Sequence, residues 1–567
     1  MKFSDMPYER PNLDEIKARI ASLTERLTKA ATFEDADAAF LAKDELDRHV
    51  STLGTIANIR HTVNTLDEFY DEETEFWNAA DPEIQAADDI FRAALLDSKF
   101  RPQLEEKYGT LIFEQAEQQR RTFSPDIVDD LKHENELSTE YQKLIASAQI
   151  EFEGEAYTLS QLTPMKTCAD DARRLAAWKA EGAWYKGNQP ELDRLYDELV
   201  AVRTKMGRAL GHDDFVALGY DRMGRLSYGR EDVERFRTAV RAYVVPLANK
   251  VFYAQSKRTG RPYPLSFADE ALTFRGGNPR PKGTAEDILD AGSAFYHELS
   301  PETDAFFKTM RNDDLMDVLS TKGKAGGGYM TEILDYNVPF IFANFNGTAG
   351  DVDVVTHEAG HAFSYYMNTD RVPAALCTPT SEACEVHSMS MEFLAWPWEE
   401  GFFGEDARKY RYAHLAGALT FIPYGTMVDH FQHEMYEHPD LTPAERHATW
   451  KRLLATYMPW MAVNGDIPFY GEGQGWQRQQ HIYELPFYYI DYCLAQTVAL
   501  EVWQLSQADF KDAWEHYMAY TRQGGTRPFT ELVEHAGLKS PFDAECLKGI
   551  CEAASAWLES YDLSGIE

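Results

Sequence analysis

Apolar residues recur at the spacing of an amphipathic helix along most of this chain. Near its beginning, Leu13, Ile16, Ile20, Leu23 and Leu27 lie three or four positions apart, which places them on one face of a helix. The same period predicts helices over 35–65, 70–120, 125–150, 169–185, 190–210, 231–258, 284–312 and from 350 onwards. The pattern therefore predicts a mainly α-helical fold.

Two segments depart from this period. Residues 151–159 alternate about a glycine, which predicts a short hairpin, and 316–346 contain the other predicted strands, including one over 340–345. The chain shows no internal repeat and no clear linker. We place a boundary near residue 150, between an N-terminal helical region, 1–150, and a larger region, 151–567.

The segment His357-Glu358-Ala359-Gly360-His361 predicts a metal site. Positions i and i+4 of a helix share a face, so both imidazoles can reach one ion, while Glu358 can take a proton from a water molecule there. Zinc metallopeptidases use this arrangement of two histidine ligands, an open coordination position and a carboxylate base. The neighbouring apolar residues favour a buried helix, and Asp351 is predicted to cap it.

A third ligand is expected in 381–392, a segment whose pattern predicts a second helix. Glu385 and Glu392 are two turns apart on one face, and a buried pair of carboxylates needs a compensating cation or donors. We predict Glu385 as the third ligand and Glu392 as the partner that orients a ligand histidine. His387 and Glu382 stay open as alternatives for the third ligand.

These motifs resemble the M3 metallopeptidases, specifically the oligoendopeptidase F branch. The resemblance rests on the motif helix, on Glu385 followed by Ser388 and Glu392, and on the segments 344–348, 323–329 and 486–492. It covers at least residues 320–500, and the opening of the chain is similar to the same branch. The chain departs from the pattern at His387, where relatives often carry a small residue.

The resemblance implies a two-lobed, zincin-type metallopeptidase fold with a small β-sheet beside the motif helix and a deep substrate channel. It assigns 151–567 as the catalytic domain, with one Zn²⁺ per chain. M3 peptidases place a histidine and tyrosines over the bound substrate, which implies catalytic roles for His481, Tyr489 and Tyr492. Tyr488 replaces Tyr489 if the match is shifted by one residue.

Four further residues are expected to bind substrate. Asn344 and Asn346 end the strand before the motif helix, and an edge strand beside the metal can pair with a peptide backbone. Gly328 ends a run of glycines, 326–328, and Tyr329 follows it. This run can close over the peptide, because glycine permits unusual backbone angles.

The composition limits which partners the protein is expected to bind and in which compartment it is expected to occur. The 567 residues are 44% hydrophobic and carry a net charge of −37, which argues against binding to nucleic acids or anionic membranes. The six cysteines form no CxxC pair, and no apolar run is long enough to span a bilayer or to serve as a signal peptide. We expect a cytoplasmic protein.

The sequence therefore predicts a zinc-dependent endopeptidase that cleaves short peptides. A dipeptidyl carboxypeptidase with the same chemistry is one alternative, and it would need a cation, such as Arg478, at the substrate C-terminus. A peptide-binding protein with a structural metal is another, with His387 as a fourth ligand. The sequence leaves cleavage preference and oligomeric state open.

Overall fold

The computed structural model describes residues 1–463 and 466–566 and consists mainly of α-helices, which confirms the predicted fold class. The helices are α1 (Leu13–Thr28), α2 (Phe33–Val63), α3 (Glu68–Leu96), α4 (Arg101–Tyr108), α5 (Leu111–Arg121), α6 (Val128–Ala146), α7 (Leu159–Lys166), α8 (Asp171–Ala209), α9 (Val216–Arg222), α10 (Arg230–Ala239), α11 (Val245–Thr259), α12 (Phe267–Glu270), α13 (Ala285–Leu299), α14 (Pro301–Asn312), α15 (Gly350–Tyr366), α16 (Ser381–Leu394), α17 (Glu399–Phe403), α18 (Ala407–Glu437), α19 (Pro443–Tyr457), α20 (Gln480–Glu484), α21 (Tyr489–Ala508), α22 (Phe510–Thr521), α23 (Phe529–His535) and α24 (Ala544–Ser560). The strands are β1 (Ile150–Phe152), β2 (Glu155–Tyr157), β3 (Met316–Leu319), β4 (Tyr329–Ile333) and β5 (Val338–Phe345).

Helices α1–α5 pack around a hydrophobic core of their own. Ile16, Ile20, Leu23 and Leu27 are all buried there, as the spacing along α1 predicts. A much larger core runs from α6 to α24 and contains the sheet and the motif helix α15. Among the described residues these are the two main cores, a small third one lies around Phe152 and Leu162, and the largest core carries the predicted site.

The predicted strands form two small sheets, one antiparallel and one mixed. β1 and β2 form the expected hairpin, while β3, β5 and β4 form a three-stranded sheet in that order. β5 pairs parallel with β3 and antiparallel with β4. The expectation that β5 is an edge strand is therefore wrong, because both of its edges are already paired. Among the described strands, none pairs with the other edge of β4.

Some helix boundaries also differ from the prediction. The single pattern over 70–120 contains three helices, and the left-handed conformation of Gly109 (φ +89°) ends α4. In contrast, α8 runs unbroken through Pro190. A proline removes one helix hydrogen bond, and burial of side chains on both halves of α8, such as Tyr185 and Leu195, offsets that loss.

Across the described residues, no helix combines the length and the apolar character needed to cross a membrane.

Candidate active site

The two motif histidines and Glu385 lie together between α15 and α16. Glu385 Oε2 lies 3.2 Å from His357 Nε2 and 3.4 Å from His361 Nε2. One donor atom from each residue lies within 4.8 Å of the other two. Two imidazoles and a carboxylate are a donor set that zinc accepts in catalytic sites, so these residues fit a metal ion.

A glycine sets the distance between the two helices. An ideal Cβ on Gly360 would lie 2.6 Å from Ser388 Cα and 2.8 Å from the His387 carbonyl oxygen. Since carbon atoms normally meet at about 3.5–4.0 Å, only glycine fits here. The close approach brings Glu385, one turn before Ser388, against the motif histidines.

The site extends outward from His357 through buried hydrogen bonds. His357 Nδ1 lies 2.7 Å from Glu392 Oε1, and His414 Nε2 lies 2.8 Å from Glu392 Oε2. Trp396 Nε1 donates to His414 Nδ1 at 2.9 Å, so His414 holds its proton on Nε2 and donates it to Glu392. Burial would raise the pKa of Glu392, but hydrogen bonds to the two histidines outweigh burial and lower it. The carboxylate thus holds His357 with Nε2 free for a metal.

His414 is absent from the predicted site because it lies near the start of α18, far along the chain from both motif helices, with no neighbouring motif to mark it.

Glu385 is held from its other side by hydroxyl groups. Tyr488 donates to Glu385 Oε1, and Ser388 Oγ donates to Oε2 at 3.1 Å. Burial would raise the pKa of Glu385, but His361 and His357 outweigh it and keep the pKa well below its usual value. The carboxylate is therefore charged and oriented for a cation.

The two alternatives for the third ligand lie elsewhere. His387 is buried, and its Nε2 lies 3.0 Å from Ser364 Oγ. Glu382 is also buried, with Asp491 and Arg225 as its charged neighbours. Within the described residues, the donor cluster contains neither of them.

Glu358 lines a cavity of 590 Å³ together with His357, His361 and Glu385. Burial raises the pKa of Glu358 above its usual value. An ideal Cβ on Gly328 would lie 3.4 Å from Glu358 Oε1. The glycine loop before β4 therefore passes directly over this carboxylate.

Residues of α20 and α21 also line this cavity. His481 Nε2 lies 3.1 Å from the Tyr492 hydroxyl, and both residues line this cavity. Tyr488 lines it too, whereas Tyr489 lines a second cavity of 490 Å³ on the other side of His357. Burial raises the pKa of Tyr488 and Tyr492 well above the ordinary value, so both are neutral donors.

The predicted substrate-binding residues fall into two groups. Gly328 and Tyr329 line the larger cavity, with the Tyr329 ring stacked 4.7 Å from that of Phe342. Asn344 instead donates to the carbonyl groups of Ala325 and Gly327, both at 2.9 Å. Asn344 thus supports the glycine loop from the central strand.

Asn346 also makes structural hydrogen bonds. Its Nδ2 donates to the Ser160 carbonyl at 3.1 Å, and its Oδ1 accepts from Thr348 Oγ1 at 2.7 Å. The predicted cap Asp351 lies inside the first turn of α15 and accepts from the backbone N–H groups of Asn346 and Gly347. This loop therefore fixes the start of the motif helix.

Comparison with known proteins places this geometry among peptidases. Residues 3–123 match the Peptidase M3 N-terminal domain, and residues 286–551 match Peptidase family M3. No match was found among curated proteins.

Three solved structures are similar over nearly the whole chain. PZ peptidase A with inhibitor 2 has 46% identity and a TM-score of 0.97, covering 99% of this chain and 100% of that one. A protein described as an oligoendopeptidase F has 47% identity and a TM-score of 0.97, covering 99% of each chain. Another so described, from Bacillus anthracis str. Ames, has 43% identity and a TM-score of 0.93, again covering 99% of each chain.

Proposed function

Since this chain belongs to the oligoendopeptidase F branch of peptidase family M3 and is a metalloendopeptidase, we propose that it hydrolyses internal bonds of short peptides with one Zn²⁺ per chain. His357, His361 and Glu385 would hold the ion. Glu358 would be the general base, and His481 with Tyr492 would stabilise the oxyanion.

One observation carries this proposal: the candidate base and the candidate oxyanion donors line the same cavity. Glu358, Glu385, His481 and Tyr492 all line the 590 Å³ space. A peptide bond lying in this cavity would have a proton acceptor and a proton donor beside it.

Zinc, when bound, supplies a Lewis acid that polarises the scissile carbonyl and acidifies a water molecule. Glu358 takes a proton from the attacking water and returns it to the leaving amine, which its raised pKa favours. Tyr492, hydrogen-bonded to His481, meets the negative charge that develops on the carbonyl oxygen. The edge of β4 that pairs with no described strand offers backbone groups to an extended peptide.

The cavity walls favour an endopeptidase over a dipeptidyl carboxypeptidase. Among the described residues that line the two cavities, none is a lysine or an arginine. An exopeptidase of that type needs a cation to hold the substrate carboxylate. Arg478 lies 5.5 Å from the ring centre of Tyr470 and is not among the residues lining either cavity.

The donor cluster argues against the alternative of a peptide-binding protein with a structural metal. The described donor cluster has three members, and His387 faces Ser364 rather than the cluster. Three protein ligands beside an open cavity are the pattern of a catalytic zinc site. The cysteines are free thiols in the structure, which supports our proposal of a reducing, cytoplasmic compartment.

The decisive experiment is Glu358→Gln. The amide keeps the shape but accepts no proton at neutral pH, so turnover should fall by about 10²–10⁴-fold while zinc content and peptide affinity persist. Glu405→Gln, an exposed site in the sequence before α18, is the matched control. Activity of Glu358→Gln within about tenfold of wild type would exclude Glu358 as the base.

Substrate range is tested with a series of peptides of increasing length. Internal cleavage of short peptides, with folded proteins left intact, is the expected outcome. Release of C-terminal dipeptides alone would establish the exopeptidase alternative. Digestion of casein as fast as short peptides would contradict the deep substrate channel that the resemblance implies.

A further inference from the structure

A chain of hydrogen bonds enters the site behind His481. Tyr424 OH donates to Gln479 Oε1 at 3.0 Å, and Gln479 Nε2 lies 2.9 Å from His481 Nδ1. On the other side of the ring, His481 Nε2 lies 3.1 Å from the Tyr492 hydroxyl. Four side chains, from α18, α20, α21 and the residue just before α20, are thus connected in one line.

The protonation state of the His481 ring decides which groups donate and which accept along this chain of hydrogen bonds. Burial lowers the pKa of His481 to about 4, so at neutral pH the ring carries a single proton. The Gln479 amide nitrogen is only a donor, which makes Nδ1 the acceptor and leaves the ring proton on Nε2. Nε2 then donates to the oxygen of Tyr492, so the hydroxyl proton of Tyr492 is not used in the bond to His481 and is available to the cavity that Tyr492 lines.

We propose that Gln479 is a positioning residue that fixes the Nε2–H tautomer of His481, and through it directs the Tyr492 hydroxyl proton toward the substrate oxyanion. Tyr424 holds the amide of Gln479 in the required orientation. This inference rests on the proposed function, since it assigns how the oxyanion donors are oriented.

An aromatic ring packs beside this chain of hydrogen bonds. The ring of Tyr489 lies 5.0 Å from the ring of His481 and 5.9 Å from that of Tyr424, both centre to centre. Tyr489 therefore packs against both His481 and Tyr424. Aligned hydrogen bonds polarise one another, so a chain that ends on Tyr492 strengthens its hydroxyl as a donor.

The opposite tautomer would have the opposite effect. If Nδ1 carried the proton, Nε2 would be an acceptor and Tyr492 would donate to it. The hydroxyl proton would then be withdrawn from the substrate. The position of one ring proton decides whether Tyr492 serves the oxyanion.

The direct test is ¹⁵N NMR of the full-length protein labelled at histidine, with the His481 signals identified by their loss in His481→Gln. Protonated and unprotonated ring nitrogens have well-separated ¹⁵N shifts, so the tautomer is read without turnover. We expect a protonated Nε2 and an unprotonated Nδ1 in the wild type. A protonated Nδ1 in the wild type would overturn the proposal.

The variant Gln479→Glu tests whether Gln479 fixes the tautomer of His481. A carboxylate accepts from Nδ1, so the neutral ring should change to the Nδ1–H form. Under conditions where the same spectra show a neutral ring, kcat should fall by about 10²–10³-fold, the loss typical of one oxyanion donor, with KM nearly unchanged. Tyr424→Phe, which releases the amide, should give a smaller loss in the same direction.

Gln507→Glu is the matched control, because Gln507 is exposed near the end of α21 and the same charge is added there. It should leave both the tautomer and kcat unchanged. A Gln479→Glu protein with the wild-type tautomer, or with a switched tautomer and wild-type kcat, would refute the positioning role. If the wild type cleaves no peptide although Nε2 is protonated, the proposed function fails instead, so the two failures are distinguishable.

Discussion

Replacing Gly360 by alanine should separate the two helices that hold the metal donors. The added Cβ would lie 2.6 Å from Ser388 Cα, where about 3.5 Å is the shortest comfortable distance between carbons. The obstacle is backbone, which has no rotamer to change, so α16 must retreat by about 1 Å. Overpacking of this kind costs about 1–3 kcal/mol of folding stability.

The same displacement should weaken metal binding. Glu385 lies on α16 and the histidines on α15, and metal–ligand distances tolerate a change of about 0.2 Å. We expect metal affinity to drop by about 10–100-fold, the range found when ligand orientation is disturbed. The assay is metal content per chain by mass spectrometry after dialysis against buffered zinc, with thermal unfolding measured in parallel.

Gly549→Ala and Gly187→Ala are the controls. Both glycines lie inside helices, and an added Cβ meets nothing within 4 Å at either position. These variants should keep their metal and gain about 0.5–1 kcal/mol in stability, because alanine is the better helix former. If Gly360→Ala retains metal and stability as the controls do, the spacing of α15 and α16 is not set by this glycine.

Further substitutions and a change of pH have defined outcomes. Tyr492→Phe should lower kcat by about 10²–10³-fold with little change in KM, and Tyr489→Phe should lower it far less, as steady-state kinetics would show. Tyr488→Phe removes a hydrogen bond to Glu385 and should weaken zinc retention, measured by competition with a chelator. Burial lowers the pKa of His447 to about 4. The unfolded chain binds the proton more readily, so stability should fall as pH drops from about 6.5 toward 4, by about 2 kcal/mol at pH 5. Urea unfolding of His447→Gln should show a flatter pH dependence in that range.

Local pattern was enough to predict a mainly helical fold and to propose a donor set. The spacing of His357 and His361 is a property of one helix, and so is that of Glu385 and Glu392. The assignment of Glu385 needed only the expectation that a buried carboxylate has a partner. The site-residue assignments remain predictions, and the structure brings these four side chains into one network.

Features that depend on distant segments were harder to predict. Whether β5 lies at an edge depends on its pairing with β3 and β4, which no local pattern reveals. The roles of Tyr488 and Tyr489 depend on the turn before α21, where Phe487 adopts a left-handed conformation with φ +69°. That turn decides which tyrosine faces which cavity.

Two glycines allow close contact between helices that carry separate parts of the site. Gly360 allows α15 to touch α16, and Gly425 in α18 faces the Cys493 sulfur of α21 with no room for a side chain. The first contact sets the distance between the metal donors. The second sets how closely the helix that carries Tyr492 approaches the rest of the core. The motif side chains thus specify which groups meet, whereas two glycines, Gly360 inside the motif and Gly425 outside it, specify how far apart the helices lie.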